Sequence, residues 1–425
     1  MNLNTIPKSP LKTVEGYTEN NLPRRHRTAM IWSLIFQVST IIGIVALTAL
    51  LYNITNQSFG YVAIQNKVDP ASLVRNGKAL EEQTKEELIA TLEENISKNL
   101  FRKLGNDKPW EERSELELQQ LIQDNVIKPQ VKGTWTLTTS IFRKAKVEAE
   151  LAAIREKNPE VKLVFMSWLN PRLFNSPQSS DALKAGVRTA ILGSLFTILI
   201  TILVAFPVGV SAAIYLEEYA SDNWINRVIQ TNINNLAGVP SIIYGMLGLA
   251  IFVRTLEPLT SGAVFGLVEP GTANGRTILS AGLTLAILIL PLLIINAQEA
   301  IRTVPDSLRQ ASYGVGATKW QTIWHHVLPN AIPGILTGTI LSISRAMGET
   351  APLVVVGAST FIDIDPSGPF SKFTTLPIQI YQWSVRPQPE FRNLAAAAIV
   401  ILMILLLSLN ATAILFRNRF SRRLM

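Results

Sequence analysis

TAILGSLFTILITILVAFPVGVSAAIYL, residues 189–216, contains no charged side chain. Wound as an α-helix at about 1.5 Å per residue, it is longer than the roughly 30 Å hydrocarbon layer of a bilayer. A stretch of this length and composition reads as a membrane span. Working outward, further apolar blocks occupy 30–53, 236–253, 277–298, 331–361 and 394–416. The chain is 48% hydrophobic and only 16% charged, and its apolar residues are gathered into blocks instead of being spread at core periodicity. The spacing predicts an all-α polytopic membrane protein with six transmembrane helices.

Charge placement sets the expected topology. Lys8, Lys12, Arg24, Arg25 and Arg27 precede the first block, and the chain ends in the basic RNRFSRRLM. Positive flanks favour the cytoplasm, so both termini are expected there, as an even number of spans requires. The first block is long for a signal peptide and no A-x-A site closes it, so it is expected to remain. The net charge of +8 comes from residues beside apolar blocks, where topology and lipid headgroups account for it; no nucleic-acid partner is expected. The absence of cysteine excludes disulfides, thiolate metal sites and cysteine nucleophiles.

The reading divides the chain into a cytoplasmic tail (1–28), a first transmembrane helix (29–55), an inserted extracytoplasmic domain (56–184), a five-span core (185–418) and a short cytoplasmic tail (419–425). In the inserted domain, Ile89, Leu92, Ile96 and Leu100 lie at helical spacing, Ser114 and Glu117 form an S-x-x-E capping box, and Val147, Leu151 and Ile154 mark a helix over 140–157. The domain is expected to be mainly helical.

Between spans four and five the chain reads EAIRTVPDSLRQASYGVGATKWQTIWHHVLPNAIPGI, a cytoplasmic loop at about 299–330 in this topology. Pro305 and Asp306 open one helix, Gly314 and Gly316 end it, and Thr318 caps a second. Trp320, Ile323, Trp324, Val327 and Leu328 fall on one face of that second helix, which needs either lipid or a partner to cover it. Gln310, Ala311 and Ser312, followed by Gly316 and the Leu328–Pro329 ending, resemble the EAA loop of permease subunits in bacterial ABC importers. Gln310 departs from the motif glutamate.

With NLAGVPSIIYGMLGLAIFV, SRAMGETAPLVVVGA and TTLPIQIYQWSVRPQPEFRNLAAAAIVIL, the region from about 185 to 425 is similar to the A-type permeases of phosphate-specific importers. The resemblance implies a bacterial inner-membrane permease that carries phosphate and works with a second permease, two ATPase subunits and an outer phosphate-binding protein. It also implies that Gln310, Ala311, Ser312, Gly316, Trp320, Ile323, Trp324, Leu328 and Pro329 couple the chain to a separate ATPase, so that the chain is not itself an enzyme and needs no cofactor. Another oxyanion, sulfate or molybdate, and a non-transporting phosphate-sensing role are the alternatives. The inserted domain lies outside the resemblance.

Arg345 and Glu349 sit in an otherwise apolar block. From Pro333, Arg345 is about 18 Å along a helix, just past mid-membrane. An arginine there costs at least about 2.5 kcal/mol unless it meets a polar cavity or a partner. Gly334, Gly338, Ser342 and Ala346 form a small-residue stripe that admits a second helix closely. The two charges either neutralise each other as an i, i+4 pair or line an anion path, for which a guanidinium is the suited donor. The resemblance implies the second. It also implies a second arginine near the cytoplasmic end of span four, where this chain has Ile295.

GVGATKW lacks the phosphate-loop spacing, and the adjacent His325 and His326 diverge on a helix, so no nucleotide or metal site is expected. Tyr215, Glu217 and Glu218 read as ordinary boundary residues.

Overall fold

The computed structural model describes residues 22–267, 274–358 and 361–421. Lys8, Lys12, most of the expected N-terminal tail and the last four residues of the C-terminal tail lie outside the described residues. The chain divides into two units, residues 1–55 and 56–425. The first contains nearly all of helix α1 (Leu22–Ser58), which is apolar from Met30 to Tyr52.

The second unit begins with the inserted domain, which holds a sheet that local patterning did not predict. Strand β1 (Phe59–Gln65) is followed by helices α2 (Lys85–Asn95), α3 (Lys98–Asp107) and α4 (Glu115–Ile122), strand β2 (Gln130–Thr134), helices α5 (Leu137–Phe142) and α6 (Lys144–Lys157), strand β3 (Lys162–Ser167) and helix α7 (Pro171–Asn175). The sheet order is β2-β1-β3, antiparallel throughout. The capping box is present: the Ser114 hydroxyl accepts from the Glu117 amide, and Glu117 accepts from the Ser114 amide. The expected helix through Ile96 breaks there, and the buried face of α2 is Leu88 and Leu92, which pack with Leu118 and Ile122.

The core then runs through α8 (Arg188–Ile214), α9 (Trp224–Ala237), α10 (Ser241–Gly248), α11 (Glu257–Thr260), α12 (Ile278–Arg302), α13 (Asp306–Gly314), α14 (Lys319–Thr322), α15 (Leu328–Gly348), α16 (Ala351–Val356), α17 (Leu376–Val385) and α18 (Pro389–Ser421). Among the described residues five helices are long and apolar enough to cross a membrane: Arg24–Ser58, Arg188–Tyr219, Ile278–Arg302, Lys319–Gly348 and Pro389–Arg419. The remaining expected span, 236–253, straddles the break in a helix pair, Trp224–Ala237 and Ser241–Thr255, that is bent by 106°. Pro240 has no amide hydrogen to continue the ladder, and Gly238 precedes it, so α9 ends and α10 restarts in a new direction.

Close helix contacts fix the core. On α8, a Cβ at Gly209 would come within 2.4 Å of a Leu293 methyl of α12, and the Thr201 hydroxyl donates to the Gly282 carbonyl of α12 at 3.1 Å. The predicted small-residue stripe of α15 also packs on α12: a Cβ at Gly334 would sit 2.7 Å from the Ala300 Cβ, and one at Gly338 would sit 2.4 Å from the Asn296 Cβ. The inserted domain shares a core with α17 and α18, since Val62, Trp168 and Leu173 cluster with Leu376, Trp383 and Phe391. It is therefore built onto the core and not hung from it by a linker.

Candidate functional site

Two places concentrate the residues singled out from sequence. The first is the loop between α12 and α15. Helix α13 ends at Gly314, and two residues on Gly316 has a left-handed φ of +83°; no neighbouring atom lies within 4 Å of where its Cβ would be, so the glycine is there for its backbone conformation. Thr318 and Gln321 form the capping box that starts α14, and the Ser312 and Thr322 hydroxyls, 2.9 Å apart and buried, join the two helices.

The expected single apolar face divides in two. Ile323 and Val327 are buried within the chain, and Leu328 packs in the same cluster as Val327. Trp320 and Trp324 point the other way, more than half exposed, with rings stacked at 5.5 Å. Tyr313 and Val315 are exposed as well. Of the remaining predicted residues, Gln310 and Ala311 are exposed, Ser312 is buried and Pro329 is half-buried. The loop thus presents an uncovered aromatic surface on a base clamped by its own hydrogen bonds.

That clamp is what the sequence reading missed. The Arg309 guanidinium donates to Glu218 at 2.8 and 3.1 Å, to the Val304 carbonyl at 2.7 Å, to the Ile301 carbonyl at 3.1 Å and to Asp306 at 3.1 Å. The Arg309 and Glu218 side chains are 15% and 7% exposed. Beside them Arg302 makes a two-armed bond to Glu217 at 2.8 Å, and Glu217 also accepts from Gln298 at 2.9 Å. Glu217 and Glu218 are accordingly more than boundary residues. They lie on a π-turn, Tyr215–Tyr219, that continues α8, and they tie this helix to the loop.

The second place is the end of α15. The expected uninterrupted span over 331–361 stops at Gly348, because Pro352 lacks an amide hydrogen and its ring would clash with the carbonyl four residues back, which is that of Gly348. Arg345 therefore lies in the last turn of α15, and Glu349 is the residue that leaves the helix, with φ −74° and ψ 123°. Arg345 Nε donates to Glu349 Oε1 at 3.4 Å. Arg345 is 44% exposed and Glu349 18% exposed. The guanidinium is not sealed in the seam with α12; it stands on the open face of α15 that also carries Leu341. Short helix α16 then packs on α10, where a Cβ at Gly245 would come within 2.6 Å of the Pro352 Cα.

Residues 205–425 match the family described as "binding-protein-dependent transport system inner membrane component". The chain is similar to the probable ABC transporter permease protein YqgI of Bacillus subtilis, with 30% identity over 58% of this chain and 83% of that protein. It is similar to the phosphate transport system permease protein PstA of Mycobacterium leprae, with 35% identity over 57% of this chain and 74% of the relative. The protein of the same name from Yersinia pestis is 33% identical over 54% of this chain and 71% of its own length. With a match over more than half its length and relatives of this closeness, the chain belongs to the binding-protein-dependent transport system inner membrane component family and is a permease subunit of an ABC transporter.

Proposed function

We propose that this permease carries phosphate inward across a bacterial cytoplasmic membrane, driven by ATP hydrolysis on a separate subunit. In this reading both termini and the 303–327 loop are cytoplasmic, and the inserted domain is on the outer side. The assembly also contains a second homologous permease, two ATPase subunits and a phosphate-binding protein. Relatives named as phosphate transport permeases support the substrate. The exposed Tyr313, Val315, Trp320 and Trp324 supply the surface for the ATPase, and the Arg309–Glu218 clamp carries its movement into α8.

The observation that carries the anion path is the placement of Arg345. A permanent charge on the open face of a membrane helix, held by one long bond, retains donors for a ligand. It is affordable in hydrocarbon only where a polar path or a partner subunit meets it. Glu349 competes for the guanidinium and keeps the anion weakly held, as transport requires. Uptake by vesicles containing the complete complex, challenged with excess sulfate, tests the substrate. Phosphate accumulation unaffected by sulfate is expected; sulfate uptake in its place would refute this reading.

A further inference from the structure

The sequence offered one arginine for the anion path and none at Ile295. The fold brings two others together at the far end of α16. Arg254, on the π-turn Leu249–Thr255 that extends α10, and Arg276, just before α12, line a cavity of about 690 Å³ with Glu257, Asn274, Leu249 and Val253. Among the described residues neither arginine side chain makes a hydrogen bond or has a carboxylate oxygen within 4.0 Å, and both are exposed and line the cavity. Two cations that line one cavity repel, and an oxyanion bound between them would relieve that repulsion; Glu257 is the carboxylate on the same wall.

The surroundings hold these arginines in place. The Thr277 hydroxyl donates to the Thr260 carbonyl at 2.8 Å, and Ser280 donates to the Gly275 carbonyl at 2.6 Å; both side chains are fully buried. Gly275, at φ +73°, packs so closely that a Cβ would come within 2.7 Å of the Val253 carbonyl oxygen. Arg276 itself lies against Gly357, the left-handed residue that ends α16, where a Cβ would meet its Cδ at 2.5 Å. Helix α16 is six residues long, about 9 Å at helical rise, with Gly357 and Arg276 at one end and Glu349, two residues before its start, at the other.

We propose that Arg254 and Arg276 form a weak binding station for a phosphate-class oxyanion, one step along this chain from Arg345. Glu257 stands to it as Glu349 stands to Arg345, a carboxylate that limits how tightly the anion is kept. The inference rests on the anion-permease reading for its place in transport, but the station itself is a property of this chain and is tested without transport.

The chain has no cysteine, so Asn274→Cys puts a single thiol on the cavity wall. The full-length chain in phosphatidylcholine nanodiscs is labelled with a sulfonate-bearing and a trimethylammonium-bearing thiosulfonate reagent. The ratio of their rates is expected to exceed that of a free thiol, and inorganic phosphate is expected to slow the anionic reagent. Arg254→Gln with Arg276→Gln is expected to lower the ratio by about tenfold and abolish the phosphate effect, while the paired lysine substitutions retain both. An unchanged ratio in the glutamine variant, or protection of the parent thiol by neither phosphate nor sulfate, would overturn the proposal. If phosphatidylglycerol in the disc removes the phosphate effect, a lipid headgroup fills the cavity and the station is refuted as a transport step. Protection by sulfate and not by phosphate would uphold the station and refute the proposed substrate instead.

Discussion

Replacing Arg309 by methionine removes five donor contacts at once. The exposed Asp306 loses little, since a pair at an 87% exposed carboxylate contributes at most about 1 kcal/mol. Glu218 loses both its bonds while 7% exposed, and the Ile301 and Val304 carbonyls lose a charged donor. Stranding one member of a buried pair costs about 3–5 kcal/mol, so Arg309→Met is expected to lower the unfolding temperature of the purified complex by several degrees. Adding Glu218→Met removes the stranded charge, and an apolar replacement of both partners is often close to neutral, so the double variant is expected to regain most of the loss. The assay is thermal unfolding of both variants, with ATPase activity and uptake measured on the same preparations. If the clamp transmits motion, the double variant is stable but hydrolyses ATP without matching uptake. An Arg309→Met protein as stable as the parent, or a double variant that is stable and fully coupled, would refute the reasoning.

Three further outcomes are expected. Gly316→Ala should destabilise the loop by about 1–2 kcal/mol through its left-handed backbone, whereas Gly316→Asn should cost less, and stability of the two variants relative to the parent is the check. Lys108 and the Ser114 amide hold the Glu117 carboxyl below its ordinary range. The stability it contributes is therefore complete above the unfolded carboxylate pKa and lost as pH falls through the lower folded value; Trp110 fluorescence in acid should show this loss, and Glu117→Gln should lack that step. A cysteine replacing Gln120 should be labelled from the outer side only, and labelling solely from the cytoplasm would invert the topology.

Local chemistry was legible in the sequence wherever partners were neighbours. The Ser114–Glu117 box and the Thr318 cap act within a single turn, and the Gly334–Gly338 stripe repeats along one helix face; each stands where its pattern put it. The break at Gly348 was also written in Pro352, but averaging hydropathy over 331–361 hides one proline. Strand β1 was harder, because FGYVAIQ has apolar residues on both faces and follows the long apolar helix α1 directly, so no alternation announces it. Glu218 and Arg309 are 91 residues apart, and Arg276 meets Gly357 only after α12 to α16 have packed. No periodicity encodes such contacts. The face of the loop helix divided for the same reason: spacing puts Trp320, Ile323 and Val327 on one side, and only the folded core decides which of them is covered.

In this reading Arg345 serves the anion and not Glu349. Arg345→Gln removes the charge and keeps a polar side chain, and the parent arginine is 44% exposed with one 3.4 Å bond, so assembly should be close to normal. Complex yield and phosphate uptake are measured together on Arg345→Gln and on Arg345→Gln with Glu349→Gln. The account expects both variants to assemble and neither to transport. A single variant that assembles poorly, with yield and uptake restored in the double variant, would contradict it by showing that Arg345 was needed only to neutralise Glu349.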